Sequence, residues 1–345
     1  MVVLPTLIQR TGRTDLGLLR EAAFRLRHHE VVYDLAQPNE HTKPPLATLV
    51  ALILTVVPQW FQERGFDLLN ILAFLAWGRR YALSRRHLLV GVLFTLNAWN
   101  AEIRLGQYNL FTLWGILWAA EGTSPLRGGG LALALLFKPV NLVFLPWVAC
   151  HGENRRQLLL STAAAFAGLA LLYIGLFGTV VFWNDHLTWW RFIPTSVNKH
   201  LLRDDNYGLP SLFAQFGVNQ LQNLWLFLGL GAAALIARRE KSEALTWTAI
   251  VCIAVSPMAW LQNYSLLLGS NLLWLTQFLK TRSRKMVAAL LLIEVFHQGW
   301  NPTLKPYLGP FSDVRIPLLA LLVASLFAAV DLHSARHSDK RLASD

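Results

Sequence analysis

The densest group of hydrogen-bonding residues in this sequence lies between positions 97 and 109, which read Asn-Ala-Trp-Asn-Ala-Glu-Ile-Arg-Leu-Gly-Gln-Tyr-Asn. These residues suit two roles: forming and capping a turn between helices, or recognising the hydroxyl and phosphate groups of a ligand. The arginine is suited to the second role because its planar guanidinium pairs well with phosphate oxygens. The candidate binding residues of this region are Glu102, Arg104, Gln107 and Asn109.

A second candidate is Lys138, which together with Pro139 interrupts an apolar stretch between residues 129 and 150. A lysine in such surroundings is costly unless its ammonium reaches water or an anion. Two interpretations are open: the side chain snorkels to a membrane surface, or the ammonium contacts a lipid phosphate. The Lys-Pro pair also predicts a break, so that two short helices replace one long one.

A third polar region spans residues 184–210 and combines charged residues with tryptophans near its start. We predict an outward-facing loop, which is either an ordinary hydrated loop or a lid over a lipid-linked sugar. Tryptophans beside such a loop are also typical of the aromatic belt at a membrane surface. The candidate binding residues of this loop are His200, Arg203 and Asn206.

A fourth region, residues 256–264, begins with Ser-Pro, which predicts the end of a helix. An aromatic residue and two amides follow, so Trp260 and Gln262 are candidate binding residues. Glu294 is an acid within an apolar run, and such an acid is either functional or paired with a partner.

The sequence indicates neither a metal site nor a cofactor. It contains no His/Cys cluster with zinc spacing and no glycine-rich loop of the kind that cradles phosphates. Gly128, Gly129 and Gly130 predict a flexible turn. Cys150 and Cys252 both lie in apolar surroundings and are predicted to be buried thiols.

The elements that position these residues are predicted to be transmembrane helices. The chain is 54% hydrophobic and 15% charged, whereas soluble domains carry about 25% charged residues. The uncharged run 158–183 exceeds the roughly 20 residues needed to cross a bilayer. The apolar runs are continuous rather than alternating, which indicates helices rather than a β-barrel. We therefore expect an all-α polytopic membrane protein of about ten to eleven crossings, and exclude a soluble enzyme. The predicted crossings are 66–78, 88–99, 108–120, 130–137, 140–149, 158–183, 221–237, 245–260, 264–279, 286–299 and 316–331.

The net charge of +11 comes from basic clusters between the apolar runs, a distribution that favours membrane orientation over nucleic-acid binding. With eleven crossings, the clusters fall on one side, which we assign to the cytoplasm. We expect one domain, made of an outer segment 1–65, a transmembrane bundle 66–332 and a cytoplasmic tail 333–345. Residues 100–107, 184–220, 261–263 and 300–315 are expected to face outward.

The outer segment is predicted to contain two helices that do not cross the membrane. Residues 15–27 form an amphipathic pattern, with Leu16, Leu19, Ala23 and Leu26 on one face. Residues 46–58 are apolar but too short to span, which favours a re-entrant or interfacial helix. The basic residues of this outer segment oppose the orientation rule, and a missing first transmembrane helix would explain how the segment reaches the outside.

Short motifs along residues 14–280 together resemble the polyprenol-phosphate-mannose-dependent mannosyltransferases, which are GT-C-type membrane glycosyltransferases that include phosphatidylinositol-mannoside-elongating enzymes. The sequence departs from the family pattern in three ways: Lys43 replaces an aromatic residue, Gln262-Asn263 stand where His-His is common, and the expected first membrane helix is missing. The motifs are Thr14-Asp15-Leu16, Glu21-Ala22-Ala23, Val32-Tyr33-Asp34, Lys43-Pro44-Pro45-Leu46, Gly106-Gln107-Tyr108-Asn109, Phe137-Lys138-Pro139, Asp205-Asn206 with Leu209 to Leu212, and Ser256-Pro257 with Trp260.

The resemblance implies that Asp15 is the general base of an inverting sugar transfer from a polyprenyl phosphate. No paired-carboxylate spacing demands a metal, and we predict neither a metal nor a cofactor. The acceptor would be a lipid or glycan outside a bacterial plasma membrane, and the sugar a hexose such as mannose. The leaving phosphate needs cations, for which Lys138 and Arg104 are best placed, with His200 and Arg203 as further candidates. Glu21, Asp34 and Glu102 are alternative bases.

Other functional classes stay open at this point. An acyltransferase or an O-antigen-type polymerase is the nearest enzymatic rival, and an inactive truncated homologue is a third possibility. A transporter would predict ionisable pairs near mid-membrane and two related halves, neither of which is evident.

Overall fold

The computed structural model describes residues 14–33, 42–124, 126–203, 206–217, 222–281 and 288, and within them the chain is helical, without a strand. The predicted all-α class is therefore confirmed for this part of the chain. Three 3₁₀ segments, Ala51–Thr55, Pro139–Phe144 and Leu261–Leu267, connect some of the helices. The α-helices are α1 Asp15–Arg27, α2 Pro45–Val50, α3 Gln59–Arg79, α4 Arg85–Arg104, α5 Asn109–Glu121, α6 Arg127–Phe137, α7 Leu145–His151, α8 Arg155–Phe177, α9 Thr179–Leu201, α10 Leu209–Gln215, α11 Gln222–Ile236, α12 Lys241–Val255 and α13 Leu268–Thr281.

Helices are present at each predicted crossing from residue 66 to residue 279. By length and composition, however, only α8 among the described helices qualifies by itself as a membrane span. Residues 45–55 and helix α3 qualify together, but they are bent by 119°, as in a re-entrant segment or a broken span. The number of crossings is thus not established. The predicted crossings 286–299 and 316–331, and Glu294, lie outside the described residues.

The break at Lys138 and Pro139 is confirmed. Helix α6 ends at Phe137, Lys138 takes an extended conformation, and a 3₁₀ segment leads into α7. Proline lacks the N–H that would continue the helix and also constrains the residue before it, which accounts for the position of the break.

A first hydrophobic cluster joins α3 to α7 with α11, α12 and α13. Large aromatic side chains fill its centre, where the ring of Phe74 stacks on that of Trp99 with 4.6 Å between their centroids. The indole of Trp77 donates a hydrogen bond to the carbonyl of Leu266 at 3.3 Å. This second contact ties the 3₁₀ segment 261–267 to the bundle.

The glycines predicted to form a flexible turn are instead part of α6. Gly128 and Gly130 allow close packing, because they lack side chains that would separate the helices. A Cβ atom added at Gly115 of α5 would lie 2.4 Å from the carbonyl oxygen of Gly130. A Cβ atom at Gly128 would lie 2.2 Å from the Ser161 hydroxyl oxygen of α8. The prediction of a turn was wrong because glycine is common both in flexible turns and where helices pack closely, so a run of glycines does not distinguish the two.

Substitution of Gly115 by alanine should destabilise the protein by about 1–3 kcal/mol, because the added methyl meets rigid backbone. Gly129→Ala is the matched control, since a Cβ at Gly129 meets nothing within 4 Å. Thermal unfolding in detergent compares the two variants. Equal melting temperatures would mean that α5 and α6 are not packed as described.

A second hydrophobic cluster joins α1 and α2 to α8 and α9, with Tyr173 and Phe192 buried against Tyr33 and Leu46. The Tyr173 hydroxyl donates to a carboxylate oxygen of Asp185. The indole of Trp189 donates to the carbonyl of Thr42 at 3.2 Å. Helix α9 thereby holds the outer segment in place.

Helix α9 corrects the prediction of a loop at 184–210. The long run 158–183 is divided at Gly178, whose φ of 90° is in the left-handed region, and a 23-residue helix follows. The helix contains Pro194, charged residues and tryptophans, a composition that resembles that of a loop. Burial of apolar residues against the outer segment stabilises it as a helix despite that composition.

The predicted cytoplasmic turns lie together at one end of the bundle. Glu121 accepts from Arg80 and lies 3.2 Å from the Lys241 ammonium. The buried guanidinium of Arg127 donates to the carbonyl of Gly122 at 2.8 Å and to that of Asn154 at 3.0 Å. Cys252 is buried as predicted, whereas Cys150, at this end, is exposed, contrary to the prediction.

Candidate active site

Asp15 is the first residue of α1, and its carboxylate makes no hydrogen bond or ion pair within the described part of the chain. The helix is capped by Thr14, whose hydroxyl accepts from the amide of Gly17 at 3.0 Å. The backbone amide of Asp15 donates to the carbonyl of Leu105 at 2.8 Å. Asp15 is therefore fixed against the end of α4 by its backbone, while its half-buried side chain stays available.

Glu102, three residues before that contact, is fully buried. It accepts from the side-chain amide of Asn109, from the backbone amide of Leu110 at 3.3 Å and from the hydroxyl of Ser265 at 3.5 Å. A buried carboxylate needs such donors because burial removes its hydration. The three donors come from α5 and from segment 261–267, so Glu102 connects three elements at this end of the bundle.

Lys138 completes this network from the end of α6. Its ammonium donates to the side-chain oxygen of Asn109 and to that of Asn263 at 3.3 Å. Asn109 thus connects Lys138 to Glu102. The charges of Lys138 and Glu102 also attract each other. The charge of Asp15 acts on Lys138 as well. The Lys138 ammonium is half-buried.

Lys43 and Tyr108 lie beside the same network. The Lys43 ammonium is 5.0 Å from the centroid of the Tyr108 ring, a cation–π distance. Tyr108 packs edge-on against Phe137, and its buried hydroxyl has no hydrogen-bond partner among the described residues. Burial lowers the pKa of the Lys43 ammonium to about 8, with the Asp15 carboxylate opposing this shift and the Lys138 ammonium adding to it.

The segments 206–208 and 257–259 are tied together by Asn206. Its amide donates to the carbonyls of His200 at 3.1 Å and Pro257 at 2.7 Å. Its oxygen accepts from the amides of Gly208 at 3.2 Å and Ala259 at 3.1 Å. All of these contacts are to backbone, so Asn206 positions the two segments relative to each other.

His200 and Trp260 lie against each other in this region, with 5.6 Å between their ring centroids. His200 is buried, and the buried indole nitrogen of Trp260 has no partner among the described residues. An unpaired indole N–H beside a histidine is suited to a hydroxyl-bearing ligand.

The remaining candidates differ in placement. Gln107 and Gln262 are buried near the network, and their carbonyls accept from Asn70 at 3.1 Å and Asn109 at 3.5 Å. Arg104 and Arg203 are exposed. The structure therefore brings Asp15, Glu102, Asn109 and Lys138 together and leaves the two arginines at the surface.

Sequence reasoning missed Lys43, Tyr108 and Ser265 as parts of the site. Lys43 was noticed only as a departure from a motif, and that departure was the available signal. Tyr108 appears in the sequence only as part of the Gly106-Gln107-Tyr108-Asn109 motif, and Ser265 carries no signal, because hydroxyl residues are common at helix ends.

A family model for glycosyltransferase family 87 matches residues 41–262, which is more than half of the chain. This chain belongs to glycosyltransferase family 87. No curated protein and no solved structure matches it. The protein is thus a transferase of the GT-C-like membrane class, with a sugar donor and an acceptor as its substrates. Its apolar helix α8 agrees with membrane association.

The matched region of the family 87 protein includes Glu102, Asn109 and Lys138, but Asp15 precedes it. The side chains of this network nonetheless offer two kinds of chemistry. A free carboxylate is suited to accept a proton, and adjacent ammonium groups are suited to stabilise negative charge that develops on a leaving oxygen.

Proposed function

We propose that this family 87 protein transfers a hexose, specifically mannose, from a polyprenyl phosphate to a lipid or glycan acceptor outside the cytoplasm. The observation that carries the proposal is the free carboxylate of Asp15, held by its backbone against the end of α4 beside the Lys138 network. No other described residue of the network combines a free acid with adjacent cations.

In the proposed reaction, Asp15 accepts the proton of an acceptor hydroxyl as that oxygen attacks the anomeric carbon. A bond forms between the acceptor oxygen and the anomeric carbon, and the bond from that carbon to the phosphate oxygen breaks. The leaving polyprenyl phosphate keeps the electron pair, so its charge changes from −1 to −2. Direct displacement inverts the anomeric configuration. Lys138 stabilises the developing charge, and His200 with Trp260 contacts sugar hydroxyls.

The purified protein in detergent tests the proposal with a panel of short-chain polyprenyl-phosphate sugars that includes mannose and glucose, with nucleotide sugars as controls. We expect labelled mannose to reach a membrane-lipid acceptor from the polyprenyl donor only. Transfer from a nucleotide sugar would contradict the donor class, and preferred transfer of glucose would contradict the proposed sugar.

The proposed side of the membrane gives a separate prediction. In a Cys150→Ser, Cys252→Ser background, a cysteine at position 199 should react with an impermeant reagent added outside, and a cysteine at position 83 should not. Both positions are exposed, at the end of α9 and in the turn before α4. Labelling at position 83 without labelling at position 199 would reverse the orientation and move the active site to the cytoplasm.

A further inference from the structure

Lys43 is held in a defined position, although it lies in an irregular segment. Its carbonyl accepts from the Tyr33 hydroxyl at 2.6 Å, and Pro44 and Pro45, which follow, begin α2. The neighbouring Thr42 carbonyl accepts from Trp189 of α9. These contacts fix the backbone from which the Lys43 side chain extends to the ring of Tyr108.

Lys43 forms no ion pair with the charged residues around it in the described part of the chain. The Asp15 carboxylate and the Lys138 ammonium act on it electrostatically. Lys138, by contrast, is already hydrogen-bonded to two amide side chains. A half-buried ammonium with only an aromatic face against it is suited to an anionic ligand.

Tyr108 gives a second, independent indication of a ligand. The Lys43 ammonium lies over the face of its ring, and its hydroxyl is buried without a hydrogen-bond partner among the described residues. A buried hydroxyl without a partner is unfavourable, and a ligand or an ordered water that completes its hydrogen bonding removes that cost. The charges of Asp15 and Glu102 both act on this hydroxyl.

We propose that Lys43 is a second phosphate-binding residue of the site, which with Lys138 holds the phosphate of the lipid leaving group. This inference rests on the transfer proposed above. When Asp15 takes the acceptor proton, it loses its negative charge, and the leaving phosphate gains one. Lys43, on which the negative charge of Asp15 acts before the reaction, then interacts with a dianion. The lysine thus counters a charge that moves from the base to the leaving group.

Binding of a short-chain prenyl monophosphate to the full-length protein in detergent tests this directly. Lys43→Met should weaken that binding roughly 10- to 100-fold, because one charge-assisted contact is lost. Lys199→Met is the matched control, since it removes an exposed cation of α9, and should leave binding unchanged. The corresponding prenol and inorganic phosphate distinguish the sources of the ligand: we expect both to bind much more weakly than the prenyl phosphate. Inorganic phosphate that binds as tightly would overturn the assignment to a lipid leaving group.

The pH dependence of prenyl-phosphate binding distinguishes the titration of Lys43 from that of neighbouring groups. The groups that face its ammonium are Asp15, Lys138 and Tyr108. Since its pKa is lowered to about 8, wild-type affinity for prenyl phosphate should fall as the pH rises from 7.5 to 9.5. The ligand stays a dianion over this range, because the second phosphate pKa is about 6. Lys43→Arg should keep its affinity, because a guanidinium stays charged.

Loss of affinity at high pH in Lys43→Arg would assign the titration to Lys138 and overturn the proposal. Unchanged prenyl-phosphate binding in Lys43→Met, with active wild-type protein, would also overturn it while leaving the proposed transfer intact. A wild-type protein that neither binds prenyl phosphate nor transfers sugar would instead contradict the proposed function itself. Size-exclusion profiles and melting temperatures establish that each variant is folded.

Discussion

Asp15→Asn should lower sugar transfer at least ~100-fold without a measurable loss of stability. Asparagine has nearly the same shape as aspartate but cannot accept the acceptor proton. The backbone amide that docks residue 15 on Leu105 is unchanged by the substitution. Initial rates of transfer from the lipid donor, at saturating donor and acceptor, measure the effect, and a melting curve establishes the fold.

Thr14→Ala is the control that isolates the structural role of this helix start. Thr14, not Asp15, supplies the side-chain cap of α1, and loss of a cap typically costs about 0.5–2 kcal/mol of stability. We expect Thr14→Ala to lower the melting temperature more than Asp15→Asn does, and to retain far more transfer activity. Near-normal transfer in Asp15→Asn would refute the assignment. The base would then be sought at Glu102 or at Glu21, which lies 2.6 Å from the Arg25 guanidinium; Asp34 lies outside the described residues.

Lys138→Met should impair both stability and transfer, because Lys138 has two roles. Its ammonium is the cation nearest to the buried Asn109–Glu102 pair, and removal of one partner from a buried charge network typically costs about 3–5 kcal/mol. Loss of its phosphate contact should also weaken donor binding on the order of 10- to 100-fold. Melting curves and donor titrations of the wild type and the variant measure the two effects.

The double variant Lys138→Met, Glu102→Gln separates these two roles. Neutralising the buried acid removes the charge that Lys138 compensated, so much of the lost stability should return, but the donor still lacks its cation. We therefore expect a stable protein with weak donor use. Normal donor use in the double variant would limit Lys138 to a structural role or to snorkelling.

The regular part of the fold could be predicted from the sequence where local patterns were sufficient. The limits of α1 and its buried Leu16, Leu19, Ala23 and Leu26 follow from a 3.6-residue apolar period. The break at Lys138 follows from the properties of proline. Helix α9 could not be predicted in this way, because its stability depends on residues such as Phe192 that pack against the distant outer segment.

The candidate site could be predicted only as separate pieces. The sequence singled out Glu102, Asn109 and Lys138 individually. Their hydrogen bonds, however, form only because the end of α4, the start of α5 and the end of α6 come together in the fold. The contact between the Lys43 ammonium and the Tyr108 ring joins residues that lie 65 positions apart in the sequence, and no local pattern records such a contact. Conversely, the exposure of Arg104 and Arg203 is a tertiary property that charge alone does not reveal.

The packing of the outer segment on α8 and α9 also has a consequence for how the protein is made. Tyr173 and Phe192, against which the outer segment packs, follow Asp15 by 158 and 177 residues along the chain and are therefore synthesised much later. Long sequence separations of this kind delay the formation of contacts. The first bundle helices can therefore associate before the outer segment is docked, and the proposed site would be the last part of the protein to form. A nascent chain held by the membrane insertion machinery would meanwhile be unable to consume donor lipid.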